Sequence, residues 1–193
     1  MLKFDEMYED LGSLARAGGR WADAQSGLRP HYVAYARWLA NQPEATMRAR
    51  RDEAEMIFRR VGITFAVYGA KDEDGAGTER LIPFDLIPRI VPAHEWRSME
   101  KGLVQRVTAL NRFIHDVYHD QEILRAGVVP REQIEGNAQF RPEMMGVKVP
   151  NSIYSHISGI DIVRAPDAQG KGEYYVLEDN LRVPSGVSYM LED

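Results

Sequence analysis

The longest regular pattern in the chain is an amphipathic repeat that follows Pro92. Apolar residues return every three or four positions through HEWRSMEKGLVQRVTALNRFIHDVYHDQEILRAG, and charged residues lie between them. Such a period is typical of an α-helix with one buried face. The sequence therefore predicts a long helix, of one or two segments, that ends at Gly127. The apolar positions of this helix are Trp96, Met99, Leu103, Val107, Leu110, Ile114 and Val117.

Two shorter helices and a hairpin are predicted before the long helix. The stretch PHYVAYARWLAN has Pro30 at its first helical position, and a second helix is expected from Thr46 to Val61, with Gly62 as its left-handed cap. The stretch ITFAVYG is β-branched and aromatic, and KDEDGAG after it is typical of a turn, so we expect a β-hairpin there. Residues 1–30 lack a sustained period and predict a loop with a short helix.

A second hairpin is predicted near the end of the chain, from IYSHISGIDIVR and EYYVLEDN with APDAQGKG as the turn. If the turn is centred on its Ala-Gln step, Asp161 lies across from Val176, and Asp161, Glu178 and Asn180 project from one face. Three oxygen ligands without histidine or thiol suit Mg²⁺ better than zinc. The alternative is a polar strand end that enters a turn. A shift of one residue in register would separate the three side chains.

Composition limits the functions that the chain can have. The net charge of -5 argues against a nucleic-acid partner, because binding to phosphates needs a concentrated basic surface. No apolar run approaches the roughly 20 residues of a membrane-spanning helix, so we expect no membrane partner. The chain has no cysteine, which excludes disulfides and thiolate chemistry and fits a cytoplasmic location. His115 and His119 have the four-residue spacing of a zinc helix, but we expect a solvated helix edge because no third ligand is evident.

These elements predict an α+β fold of mixed helices with antiparallel hairpins. We expect an N-terminal helical region with a hairpin over residues 1–90, followed over residues 91–193 by the long helix and the second hairpin. The length of 193 residues suits one domain or a piece of a larger one.

Several stretches of the chain resemble one family of enzymes. GIDIVR followed by YYVLEDNLRVPSGVSYMLE is similar to the circularly permuted ATP-grasp proteins related to glutathionylspermidine synthase, as are FDEMYED, RPHY, PFDLIPRIVPAHEWRSMEKGLVQRVTALNRFIHDVY and GVKVPNSIYSHISGIDIVR. The resemblance implies a ligase that uses ATP and Mg²⁺ to activate a carboxylate as an acyl phosphate and joins it to an amine. It also implies that Asp161 is the first metal carboxylate, that Glu178 is shared between two metals and that Asn180 is the amide ligand.

Four further residues are candidates for contact with substrates. Arg182 is the candidate catalytic residue, facing a carboxylate or a phosphate, and a surface cation is its alternative. Ser185 and Gly186 would offer a hydroxyl and backbone donors in a tight turn. His156, expected on the hairpin near Asp161, is a candidate for substrate contact, and a hydrogen-bonded structural histidine is its alternative.

The chain departs from that family in two respects. Gly159 stands where an arginine is expected two residues before the first metal aspartate, which argues against a thiol tripeptide as the substrate. The segments that hold ATP are expected C-terminal to the metal motif, beyond Asp193. We therefore expect an N-terminal portion of a larger ligase, inactive alone, that a missing C-terminal half or a partner chain completes. The alternative is a non-catalytic binding or scaffold domain.

An incomplete domain has a further consequence. We expect the hairpin face meant for the missing half to be apolar and exposed, and we expect self-association from it. The sequence leaves the particular carboxylate and amine substrates open.

Overall fold

The structure is a computed structural model that describes residues 5–10, 12–13, 27–71, 77–81, 84–184 and 186–192. Its helices and antiparallel hairpins confirm the predicted α+β class. Most of the loop and helix predicted over residues 1–30, and most of the KDEDGAG turn, lie outside the described residues. In the described part, the elements are α1 (Val33–Ala40), α2 (Glu44–Val61), β1 (Thr64–Lys71), β2 (Gly77–Leu81), α3 (Ala93–Tyr118), α4 (Glu122–Arg125), α5 (Arg131–Glu135), β3 (Gly159–Pro166), β4 (Gly172–Asn180) and α6 (Gly186–Glu192).

The chain divides into two compact units. The first contains residues 1–92 and 164–173, and the second contains residues 93–163 and 174–193. The predicted domains 1–90 and 91–193 stay a prediction. Among the helices of the described residues, none is both long and apolar enough to cross a membrane.

The first unit has a small aromatic core. Met7, Tyr8, Tyr32 and Ala36 are buried together, and partly buried leucine and isoleucine side chains pack against them. The Tyr32 hydroxyl accepts a hydrogen bond of 2.8 Å from the backbone N–H of Ile90, so the chain after β2 is fixed to the start of α1. The hydroxyl of the buried Tyr32 therefore has a hydrogen-bond partner.

The helices and the hairpin of the first unit follow the predictions closely. A 3-10 turn at Pro30–Tyr32 leads into α1, as expected for proline at a first helical position. Helix α2 begins two residues before the predicted start, and Gly62 ends it in the left-handed conformation with φ 82°. Strands β1 and β2 pair antiparallel, with Thr64 opposite Leu81.

The long predicted helix is two helices in the structure. Helix α3 ends at Tyr118, and Gln121 then adopts a left-handed conformation with φ 53° before α4 begins. The Asp116 carboxylate accepts hydrogen bonds from the N–H groups of Glu122 and Ile123, at 2.9 and 3.0 Å, and so satisfies donors that the start of α4 leaves free. Gly127, with φ 68°, follows α4, which confirms the predicted end.

Candidate functional site

The β3–β4 hairpin carries the predicted metal ligands, and its turn differs from the one assumed. The Asp167 N–H donates to the Lys171 carbonyl at 2.7 Å, and the Gly170 N–H donates to the Asp167 carbonyl at 3.0 Å. Gly170 has a φ of 81°, so a three-residue loop with a left-handed glycine joins the strands. The turn is centred on Gln169 rather than on the Ala-Gln step. Near the turn, the register is therefore shifted by one residue.

Strand β4 contains one residue more than β3 along the rest of the hairpin. A Cβ atom built on Gly159 would lie 3.5 Å from the Cβ of Asn180, so these two residues face each other across the strands. From the turn pair to this pair, β3 advances eight positions and β4 advances nine. An extra residue in one strand of an antiparallel pair implies a β-bulge, and we place it at Leu177–Glu178 because these two neighbouring residues are both exposed.

The bulge determines how the predicted ligands lie. We extend the pairing of residue 159 with residue 180 by two positions, which brings Asp161 opposite Glu178 rather than Val176. In this register both carboxylates and the Asn180 amide lie on one face. The Asn180 Nδ2 donates to Glu178 Oε1 at 3.0 Å. Asp161 and Glu178 are exposed, and neither forms an ion pair within the described residues.

The donor set suits a hard cation in its chemistry. Two carboxylates without a cationic partner and an amide oxygen are ligands that Mg²⁺ accepts, together with water and phosphate oxygens. Across the residues that the structure describes, no group of three or more His, Cys, Asp or Glu side chains is arranged to hold a metal ion. A metal at the hairpin would therefore need oxygens from outside these two carboxylates.

Helix α3 holds β4 by two side-chain contacts that the sequence did not indicate. The Tyr174 hydroxyl donates to Glu95 Oε2 at 2.6 Å. Arg106 donates from Nε and Nη2 to the two carboxylate oxygens of Asp179, at 2.7 and 2.6 Å. This hydrogen bonding holds the pKa of Asp179 below its ordinary value. Asp179, which stands between two predicted ligands in sequence, is therefore directed to the helix and away from a metal.

A third contact fixes the chain where β4 ends. Asn111 of α3 accepts hydrogen bonds at its Oδ1 from the N–H groups of Tyr154 and Ser155, at 2.8 and 3.0 Å. The buried Ser155 hydroxyl lies 3.0 Å from the Leu181 carbonyl, to which it donates. Residues on both sides of Asn180 are thus connected to α3, directly or through one serine.

The structure gives fewer contacts for the predicted substrate residues than for the predicted metal ligands. Arg182 is exposed directly after β4, and Gly186 begins α6 with open space where a Cβ would lie. Ser185 lies outside the described residues. His156 is exposed and precedes β3, so it is not on the hairpin as expected.

Gly159 packs closely against the site. A Cβ at this position would lie 3.0 Å from the Cβ of Pro184, and proline cannot swing aside as a flexible chain can. The arginine expected from the family has no room here without a shift of the chain. This close packing gives a physical reason for the departure at Gly159.

His115 and His119 do not lie at a solvated helix edge as expected. Their rings stack with centroids 4.1 Å apart, and both are half-buried. The Tyr154 hydroxyl lies 3.2 Å from His115 Nδ1, and burial raises the pKa of this tyrosine. His119 Nδ1 donates to the His115 carbonyl at 2.9 Å. The pair contacts Tyr154, which precedes Ser155, and within the described residues no third metal ligand joins it.

The fold and this hairpin define a class: an α+β chain whose second hairpin presents two carboxylates and an amide beside a supporting helix. The family model described as "A circularly permuted ATPgrasp" matches residues 88–193, which include that helix and the whole hairpin. The chain belongs to the circularly permuted ATP-grasp family.

Several relatives are longer proteins. The chain is 42% identical over 165 residues to an uncharacterized protein of Synechocystis, covering 86% of this chain and 33% of that protein. It is 38% identical over 192 residues to an uncharacterized protein of Mycobacterium tuberculosis, covering 100% of this chain and 30% of that protein. It is also 36% identical over 170 residues to a Frankia casuarinae protein named "Putative glutamate--cysteine ligase 2-2", covering 88% of this chain and 18% of that protein. No solved structure matches the chain.

The chain therefore spans a third or less of the length of these relatives.

Proposed function

We propose that this chain contributes the metal-binding hairpin to the active site of an ATP-dependent carboxylate–amine ligase. The observation that carries the proposal is the Glu178–Asn180 hydrogen bond on the face shared with Asp161, within the segment that the ATP-grasp family model matches. The name of the Frankia relative contains the word ligase, which agrees with this class of reaction. Most of that protein lies outside the match, so its substrates are not carried over.

In the proposed reaction, a substrate carboxylate oxygen attacks the γ-phosphorus of ATP. ADP leaves and an acyl phosphate forms. An amine then attacks the acyl carbon, the amide bond forms, phosphate leaves, and the amine proton passes to a base or to water. Asp161, Glu178 and Asn180 would hold Mg²⁺, which supplies positive charge to the phosphate oxygens when bound.

The residues after β4 have a role on the substrate side in this proposal. Arg182 is exposed beside the end of the metal hairpin, and its guanidinium can pair with a carboxylate or phosphate through two parallel hydrogen bonds. Ser185, Gly186 and His156 are proposed as further substrate contacts. The close packing at Gly159 argues against the glutathione-type substrate of the glutathionylspermidine synthases.

The first prediction tests the two carboxylates. In the whole protein, Asp161→Ala and Glu178→Ala should each lower ATP-dependent phosphate release at least about a hundred-fold, the scale seen when one group that stabilises transition-state charge is lost. Both side chains are exposed, so the melting temperature should stay close to that of the parent.

Glu132→Ala is the matched control, because Glu132 is also an exposed glutamate of the second unit and should leave turnover unchanged. Full turnover in the Asp161→Ala or Glu178→Ala protein would exclude the proposed metal role. A whole protein that binds no MgATP would favour the alternative of a non-catalytic binding or scaffold domain.

A further inference from the structure

The position of Asp179 is unexpected for a residue between two metal ligands. Its side chain is 15% exposed and lies against α3, whereas its neighbour Glu178 is exposed on the other face. The Arg106 guanidinium pairs with both carboxylate oxygens, and this two-point geometry fixes orientation as well as charge. The negative charge of Asp179 is thus already neutralised within the chain.

The contacts between α3 and β4 have similar spacings. Glu95 and Arg106 are eleven residues apart, which is about 16 Å along a helix and close to three full turns. Tyr174 and Asp179 are five residues apart, but one of these residues belongs to the bulge, so the strand advances about four regular positions, or roughly 13 Å. The long side chains that make the two contacts span the difference, and β4 lies along one side of the helix.

An odd separation in a regular strand would place Tyr174 and Asp179 on opposite faces. Both reach the same helix because the bulge at Leu177–Glu178 reverses the alternation between them. The contact from Arg106 to Asp179, next to the bulge, opposes relaxation of the bulge by one residue. Such a slip would move Glu178 and Asn180 to the wrong face.

We propose that Arg106 and Asp179 are positioning residues for the metal site, which hold the bulged end of β4 so that Glu178 and Asn180 face the metal beside Asp161. The inference rests on the proposed function. Neither residue of the pair touches the metal or a substrate. Their effect passes through the orientation of Glu178 and Asn180, in the way that outer partners of metal ligands control affinity.

The test measures metal binding separately from turnover. In the whole protein, Arg106→Gln and Asp179→Asn should each weaken binding of Mn²⁺ in the presence of ATP, followed by the electron paramagnetic resonance of free Mn²⁺. The Mg²⁺ concentration for half-maximal rate should rise by about ten- to a hundred-fold, the range observed for outer partners of metal ligands. The rate at saturating Mg²⁺ should fall less.

Combined and conservative variants show whether the two residues act as one pair. The double variant should be no worse than the more affected single variant, because each substitution removes the same interaction. Arg106→Lys keeps the charge but not the two-point geometry, so it should lie between parent and Arg106→Gln.

Two controls separate positioning from general stability. Tyr174→Phe removes the hydrogen bond from β4 to Glu95 of α3, and should lower the melting temperature without changing the Mg²⁺ requirement. Arg112→Gln changes an exposed arginine of the same helix and should alter neither quantity. A Tyr174→Phe protein with the same rise in Mg²⁺ requirement would overturn the specific role of the Arg106–Asp179 pair.

The Glu178→Gln protein in the same assay separates failure of the proposed metal-binding function from failure of the positioning role alone. If this protein binds Mn²⁺ as the parent does, the proposed function fails. If Glu178→Gln loses Mn²⁺ binding while Arg106→Gln and Asp179→Asn retain it, the positioning role alone is overturned.

Discussion

At the scale of single residues, Gly159 shows what the metal hairpin requires of its neighbours. The absence of a side chain here lets Pro184 and Asn180 approach the backbone of β3. The departure from the family pattern was visible in the sequence, but its cause was not, because the residues that fill the space come more than twenty positions later.

We expect Gly159→Ala to lower the free energy of unfolding by about 1–2 kcal/mol, because the new Cβ would crowd Pro184 at 3.0 Å. Gly102→Ala is the control. Gly102 lies within α3 with nothing near its missing Cβ, so alanine should raise the free energy of unfolding by about 0.5–1 kcal/mol. Urea denaturation of both variants measures the difference. Equal or greater stability of Gly159→Ala would contradict the close packing described here.

At the scale of elements, α3 was predictable and the hairpin register was not. The spacing from Trp96 to Val117 specifies a helix by itself, because local sequence determines the period. The turn between β3 and β4 contains Gly170 and Gly172, either of which could have taken the left-handed position. Asp179, next to the bulge, is held by Arg106, more than seventy residues away, and no local pattern in β4 indicates this contact.

The contact between Arg106 of α3 and Asp179 of β4 should make the free energy of unfolding depend on pH. Hydrogen bonding from Arg106 lowers the pKa of Asp179 from its ordinary 3.8. A carboxyl with a lowered folded pKa stabilises the fold above its unfolded pKa of about 3.9, and this contribution is lost as pH falls through the folded pKa. The parent should therefore exceed Asp179→Asn in stability at pH 7, and the difference should shrink below about pH 4.

Urea denaturation of the two proteins at pH 7 and at pH 3 measures this difference. Salt should reduce it at pH 7, because the Arg106 side chain is 45% exposed and its charge is screened. A difference that is the same at both pH values would mean that the carboxylate charge of Asp179 does not stabilise the fold.

At the scale of the whole molecule, the two units differ in how much apolar surface they bury. Among the described residues, the second unit buries only Val117 and Leu124 of its large apolar side chains. On the hairpin, where an exposed apolar surface is predicted, Tyr175 and Leu177 are 42% and 65% exposed. Other exposed apolar side chains of this unit are Trp96, Val104, Val128, Met145, Val147, Ile153, Ile157, Val183, Met190 and Leu191.

Apolar surface of this extent is typical of a protein surface that another chain or segment covers. The matched part is a third or less of the relatives' own length, so further protein is available in this family to cover such a surface. The 193-residue chain by itself should therefore self-associate as its concentration rises, as sedimentation velocity would show.

Leu177→Lys should reduce this association without loss of stability, because the leucine is 65% exposed and contributes little to the core of the isolated chain. Val128→Lys is the matched control, since Val128 is 70% exposed but lies after α4 rather than on the hairpin. If the hairpin face drives association, only the substitution at Leu177 should lower it. A chain that stays monomeric at every concentration, or that responds equally to both substitutions, would show that the exposed apolar residues of β4 do not form a binding surface.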